Sequence, residues 1–413
     1  MCTYTFLLKN RFIKAKCTNC RFYVYVHKNI QKNLNYECVC NFFFIFVHII
    51  LKMVTIKDIA KLANVSIGTV DRVVHNRTGV SQKTRETVQQ IIDENNFRIN
   101  VLARSLALKK ESNIAVLMPD FNEENLFWKS PSMGISKASS EVENFGIHMH
   151  TYSFNQYSQQ VFSEKIEEIV SSHLVFDAVI FTPIFRKESN RFMSYLEAKN
   201  IPYMFLNVEM EGFNNLSYIG QDAYKSGYLS GKLMQLCTPV NSDYLIPIFE
   251  SQVDNNELLS KRIKGFEDYF KGHNLKAVMN IFHISGTTHS DVLRSKIDNV
   301  LTKNKNIQGV FVPSSRISVV SSLLNYSKHT YLKLIGFDTT EQNVTSLKEG
   351  KVTFLISQKS FNQGYQAVKI MTDYLVQNQQ PAKQIFSPIE IITKENLEFS
   401  QRNRAEYSHN LKL

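Results

Sequence analysis

The chain has 413 residues, a formal net charge of +11, 43% apolar and 21% charged residues. That length allows two or three domains with a sizeable core, and no run of about 20 apolar residues marks a membrane span, so no membrane partner is expected. The charge is local: residues 1–52 carry eight Lys/Arg against one acid, residues 53–112 ten against six, and residues 113–413 thirty against thirty. This excludes a uniformly basic protein and points to a negatively charged partner near the N-terminal end.

Residues 1–52 mix Lys, Asn, Tyr, Phe and Cys without periodicity. Five of six cysteines lie here, and only Cys237 comes later. One cysteine in the remainder means no disulfide framework, which fits a reducing cytoplasm. The apolar run from Phe42 to Leu51 is too short to span a bilayer, and the basic part is too long for a signal peptide. Cys17-x-x-Cys20 with Cys38-x-Cys40 has four thiolates for zinc, but the second pair is too closely spaced for the usual site. No metal and no cofactor are expected. Residues 1–52 are read as a non-native or disordered extension, with the working chain starting at Met53.

Residues 53–100 predict three helices. Thr55 and Asp58 have the form of a capping box, and Ile59, Ala60 and Ala63 form an apolar face. Asn64-Val65-Ser66 is a tight turn, after which Ser66 caps a second helix from Ile67 to about Val74. Val70, Val73 and Val74 repeat there at core spacing, whereas Ile67, Gly68, Asp71, Arg72 and His75 share the opposite face. Ser81 caps a third helix, closed by Val88, Ile91 and Ile92. Two short helices across a tight turn, the second with a polar face, form a helix-turn-helix. Arg72 offers a bidentate fork to guanine and Ile67 an apolar contact to a thymine methyl. Thr69, Ser81, Lys83 and Thr84 suit phosphate contacts. Asp71 could hold Arg72 or accept from cytosine. A small helical bundle with a solvated face has the same periodicity; the tight turn, the local charge and the downstream sequence weigh against it.

IKDIAKLANVSIGTVDRVVHN resembles the N-terminal signature of the lactose-repressor (LacI/GalR) family of bacterial transcription regulators. VSQKTRETVQQIIDENNFRINVLARSL is similar to that family's third helix and hinge. The resemblance implies a hinge helix over residues 101–112 that enters the minor groove, with Leu106 as wedge, Ala103 beside it, and Asn100 and Arg104 near the backbone; such a wedge unstacks and kinks DNA. Ile67 and Gly68 are smaller or more apolar than in many relatives, and Ile99 replaces a common proline.

From Asn113, short apolar runs (NIAVLMP, IHMHTYSF, DAVIFTP, PYMFLNV, LSYIG, YLIPIF, AVMNIFHI, GVFVP, LKLIGF, TFLIS) alternate with helical patterns such as SQQVFSEKIEEIVSSH. Strand–helix alternation predicts parallel sheets with helices on both faces, and ten strands predict two lobes. Ligand groups then gather at the carboxyl ends of strands. Candidates are Asp120, Phe127 and Trp128 after the first strand, Thr182 and Arg186 after the third, and Asn207 after the fourth. This half resembles the periplasmic sugar-binding-protein fold, so the resemblance covers about residues 53–400. It implies an arginine at Arg262 that grips ligand hydroxyls, with Asp338 and Gln358 beside it, although Asp338 could equally cap the next helix. It also implies a first lobe of about 113–217 and 359–386 and a second of about 218–357 and 387–400, crossing near Tyr218, Gln358 and Pro388, with a tail at 401–413. Where the family has an Asn-Asp pair, this chain has Ser314-Ser315-Arg316. Ser315 is the candidate contact there, and Arg316, if turned inwards, would favour an acidic ligand such as a sugar acid or phosphorylated sugar.

No P-loop, dinucleotide fingerprint, G-x-S-x-G or H-E-x-x-H occurs, GTTHSD (286–291) reads as a loop capping a helix, and no catalysis is expected. The expectation is a multidomain chain: an all-α helix-turn-helix head and an α/β two-lobed domain. It would act as a dimeric, cytoplasmic, effector-controlled transcription regulator, more simply a repressor, on a roughly palindromic double-stranded operator, with a sugar-like effector. The alternatives are a transport solute-binding protein, an enzyme using the cleft, and a regulator without a small effector.

Overall fold

The computed structural model describes residues 4–9, 12–17, 23–27, 56–74, 77–95, 111–122, 125–250, 257–285, 290–325 and 328–400. The chain divides into two compact units, Met1–Ile99 and Asn100–Leu413.

In the first unit, β1 (Tyr4–Lys9), β2 (Phe12–Cys17) and β3 (Tyr23–His27) pair as an antiparallel meander within the segment expected to be an extension. Three helices come next: α1 (Ile56–Leu62), α2 (Ile67–Val74) and α3 (Gln82–Glu94). Asn64 turns the chain between α1 and α2 with φ of +51°, a left-handed conformation that asparagine tolerates better than other side chains except glycine. The Val65 amide then reaches back to the Ala60 carbonyl at 3.0 Å. Ile59, Ala60, Val70, Val73 and Val88 are buried together, one set from each helix. At about 1.5–3 kcal/mol for each large aliphatic side chain, this small core dominates the stability of the head.

The second unit has two six-stranded sheets among the described residues. The first, in order β14-β8-β7-β6-β4-β5, comprises β4 (Ser112–Pro119), β5 (Ile147–Phe154), β6 (Ala178–Phe181), β7 (Tyr203–Leu206), β8 (Ser217–Gly220) and β14 (Gln384–Phe386), all parallel. Ile114–Met118, Ala178–Phe181 and Tyr203–Leu206 are buried on both faces, which is why these strands read as continuous apolar runs. Helices α4 (Lys129–Val142), α5 (Gln159–Val170), α6 (Arg186–Ala198) and α12 (Ser360–Gln377) accompany this lobe.

The second sheet, β10-β9-β11-β12-β13-β15, holds β9 (Asp243–Glu250), β10 (Met279–Ser285), β11 (Ile307–Phe311), β12 (Lys333–Phe337), β13 (Phe354–Ser357) and β15 (Glu390–Ile392). Helices α7 (Ala223–Cys237), α8 (Glu257–Gly272), α9 (Ser290–Lys303), α10 (Ile317–Leu323) and α11 (Glu341–Lys348) accompany it. Strand β15 runs antiparallel to β13, a common exception at the edge of a parallel sheet. Neither β14 nor β15 was expected: each has three residues, none of them buried in β14 and one in β15, too short for periodicity to register. Tyr218, the expected first crossing, lies within β8 of the first sheet, and Gln221 follows the strand's end at Gly220.

Glycines set the helix spacing in both lobes. A Cβ on Gly134 of α4 would run into the Phe361 carbonyl of α12, and one on Gly227 of α7 into the Arg262 carbonyl of α8. No helix among the described residues is long and apolar enough to cross a membrane.

Candidate functional site

The head presents one face of α2. Val70 and Val73 point into the core, whereas Ile67 is 48% exposed and Gly68 and Arg72 are exposed. An exposed isoleucine beside an exposed arginine is what base-edge contact needs. The Ser66 hydroxyl caps α2 through the Thr69 amide at 3.1 Å and also meets the Thr69 hydroxyl. Ser81 does the same for α3 with the Thr84 amide and hydroxyl. Each of these pairs sits at a helix N-terminus, where amides and dipole favour a phosphate. Lys83 is exposed one residue away. Asp71 is paired with Arg77, six residues along the chain, at 3.2 Å. The Arg72 guanidinium lies near Gly79, whose φ of +91° carries the chain out of this helix pair. Thr55, His75, Asn100, Ala103, Arg104 and Leu106 lie outside the described residues, as does most of the GTTHSD segment.

The second unit has a cavity of about 200 Å3 between its lobes, bringing together seven of the expected residues: Phe127, Trp128, Asn207, Arg262, Ser315, Asp338 and Gln358. The first lobe gives an aromatic wall. Phe127 and Trp128 sit in a short 3-10 turn ahead of α4, edge to face at 4.9 Å, and the Trp128 indole N–H donates to Gln156 Oε1 at 3.1 Å. That bond fixes the ring plane against which an apolar sugar face could lie.

The second lobe gives the charge. Arg262 on α8 is 2% exposed. Its Nη1 donates to the Pro313 carbonyl at 2.8 Å and its guanidinium carbon lies 3.6 Å from the centre of the Phe337 ring. Nε and Nη2 have no hydrogen-bond partner among the described residues. Burial lowers the Arg262 pKa to about 10, with Asp338 and Tyr218 opposing the fall, so the group is charged at neutral pH. Unpaired donors on a buried cation are costly, and this cation lines a cavity.

A polar chain crosses the cavity floor. Gln358 Nε2 donates to both Asp338 oxygens at 2.9 and 3.2 Å, and Asn207 Nδ2 donates to Gln358 Oε1 at 3.4 Å and Gln363 Oε1 at 3.2 Å. Asp338 has φ of +68° and does not cap α11; Thr340 does, through the Asn343 amide. Arg316 lines the same cavity, donates to the Tyr157 hydroxyl of the other lobe and lies 5.0 Å from the Phe249 ring centre.

Three expected residues lie off this lining. The Asp120 amide donates to the Phe154 carbonyl and its carbonyl accepts from Asn125 Nδ2, and burial raises its pKa. Thr182 is fully buried beneath the surface. Arg186 starts α6 and turns to the rim, pairing with Glu257 at 3.4 Å. Gln156, Tyr157, Phe249, Leu258 and Leu259 line the cavity without having been singled out. A larger hollow of about 510 Å3 lies between α4 and the start of α11. It has no guanidinium on its wall, so the smaller cavity is the better binding site. Among the described residues no cluster of three or more His, Cys, Asp or Glu could hold a metal.

The profile of the bacterial regulatory proteins of the lacI family matches residues 55–100, and that of the periplasmic binding protein domain matches residues 114–379. The HTH-type transcriptional regulator MalR of Streptococcus pneumoniae is 28% identical over 183 residues, 42% of this chain and 51% of that protein, so the chain spans about half of it. Catabolite control protein A of Priestia megaterium is 23% identical over 348 residues, 78% of this chain and 92% of that protein. A crystal structure from Bacteroides fragilis assigned to the LacI transcriptional regulators superposes with a TM-score of 0.63 at 24% identity, covering 70% of this chain and 99% of that one. A transporter solute-binding protein from Actinobacillus succinogenes with bound D-allose superposes with a TM-score of 0.58 at 19% identity, covering 70% of this chain and 100% of its own. These likenesses show the two-lobed fold; over residues 114–379 the chain belongs to the periplasmic binding protein domain family, and residues 55–100 ahead of it match the lacI family of bacterial regulatory proteins.

Proposed function

We propose that the protein is a sequence-specific DNA-binding transcription regulator, a repressor, whose affinity for its operator is set by a small sugar-like ligand in the cavity between the lobes. The observation that carries this is the pairing, in one chain, of an exposed α2 face with a ligand cavity whose buried Arg262 lacks two partners. Ile67, Gly68 and Arg72 read base edges, and Ser66, Thr69, Ser81, Lys83 and Thr84 fix the register on phosphates. Leu106, Ala103, Asn100 and Arg104 form the minor-groove element. Two copies act together as a cytoplasmic homodimer, so the operator is a pseudo-palindrome.

In the cavity, Trp128 and Phe127 stack on the ring while Arg262, Asp338, Asn207, Gln358 and Ser315 pair its hydroxyls. Solute-binding proteins of similar fold, one with D-allose bound, support a monosaccharide of that kind. A cavity of about 200 Å3 is below the roughly 300–1,000 Å3 of sites for drug-sized ligands, which favours a single ring. Ligand acts on DNA binding only through a different affinity for the two lobe arrangements. Selection of binding sites from random DNA tests the proposal. An enriched palindrome is expected; its absence under every ligand condition overturns it.

A further inference from the structure

We infer that the ligand is an acidic sugar, a hydroxylated ring bearing one anionic group held by Arg316. This rests on the cavity being the ligand site, as proposed above.

The charged residues lining the cavity are Arg262, Arg316 and Asp338, two cations to one anion. Asp338 already receives the Gln358 amide on both its oxygens, which leaves the wall with an excess of cationic donors. A neutral sugar brings hydroxyls that can pair Arg262 but leaves Arg316 with no counter-charge in a partly desolvated site. A carboxylate or phosphate supplies that counter-charge, and the planar guanidinium fork matches either group bidentately.

Arg316 is positioned for this. It precedes α10 without capping it through its side chain, so it is not committed to the helix. The side chain turns into the cavity over Phe249 and Tyr157, and one of its N–H groups is held by the Tyr157 hydroxyl across the cleft. Stacking of a guanidinium on aromatic rings orients it while leaving its other N–H edge for an acceptor. Arg262, deeper and with two unpaired donors, grips the ring hydroxyls. The two arginines therefore divide the ligand between them, hydroxyls at Arg262 and the acidic group at Arg316.

The test is titration calorimetry of the full chain with D-glucose and D-galactose, the corresponding uronates, and glucose 6-phosphate. The inference expects at least one acidic probe to bind ten times or more tightly than its neutral counterpart; uronate preference identifies a carboxylate, and sugar phosphate preference identifies a phosphate. Arg316→Gln should bring that ratio close to one, and Arg316→Lys should keep part of the preference. Should Arg316→Gln not fold, judged by circular dichroism, Arg316→Lys and Tyr157→Phe carry the test, both with the preference kept but reduced. Neutral sugars that bind as tightly as acidic ones, or a preference unchanged in every variant, overturn the inference alone. Failure of all probes to bind overturns the sugar site with it.

Discussion

Gln221 and Ser357 are joined across two of the three lobe crossings: the Gln221 Nε2 donates to the Ser357 carbonyl at 3.1 Å, and also to the Pro388 carbonyl at 3.2 Å on the third crossing. One buried amide thus ties together the three strands of chain about which the lobes can move. Gln221→Leu keeps the volume but takes this donor from the buried Ser357 carbonyl and the part-buried Pro388 carbonyl, so we expect a loss of about 1–3 kcal/mol. Urea unfolding followed by fluorescence of the only tryptophan, Trp128, reads this directly; an unchanged midpoint would show that the staple carries no load.

Helix spacing should be felt in the cavity at a distance. Gly227 sits against the backbone carbonyl of Arg262 with no room for a Cβ. Gly227→Ala must therefore displace α8, and overpacking of this kind costs about 1–3 kcal/mol. Because α8 carries Arg262, ligand affinity should fall as well, although Gly227 does not line the cavity. Calorimetry on the purified variant decides it; a destabilised protein with unchanged affinity would contradict the link.

The roles proposed for the head predict two different losses on DNA. Arg72→Ala removes a base-reading fork, which should cost about 1–3 kcal/mol and relax specificity at one position of each half-site. Lys83→Ala removes a phosphate contact, which should weaken all sequences alike and lower the salt slope by about one. Fluorescence anisotropy over a salt series with a selected site and its point variants separates them. Equal behaviour of the two variants would refute the division of roles.

Rim charges should matter little. Arg186–Glu257 and Lys129–Glu341 bridge the lobes at the surface, and Lys129 holds the Glu341 carboxyl below its ordinary pKa. Exposed pairs contribute about 0–1 kcal/mol. Arg186→Ala should therefore leave ligand affinity within about fivefold of the parent, in contrast to Arg262→Met, which should abolish it. A large effect at Arg186 would return that residue to the binding site.

The helices and ten of the strands were legible because periodicity, caps and turn residues all agree locally: Asn64 in its left-handed turn and Ser81 as a cap are examples. Phe127, Trp128, Arg262, Asp338 and Gln358 were legible as strand-end positions or through family resemblance. Tyr157, Phe249 and Leu258 were not, because whether they face the cavity depends on how one lobe closes on the other, and no local pattern encodes that. Asp120 and Arg186 do not line the cavity. Each stands near a strand end; a surface partner holds Arg186 at the rim, and a strand-end position alone does not say whether a side chain reaches the cavity. Asp338-Thr339-Thr340 contains three possible helix caps, and only the geometry selects Thr340.

The proposed function couples a DNA reader to a ligand cavity, and the most direct test of that coupling is the affinity for a selected operator. It is measured by anisotropy with and without saturating sugar ligand, in the parent and in Arg262→Met. We expect a change of about 5- to 150-fold on ligand binding in the parent, and operator binding without any ligand response in Arg262→Met. Operator affinity that is the same with the cavity filled or empty would contradict the coupling.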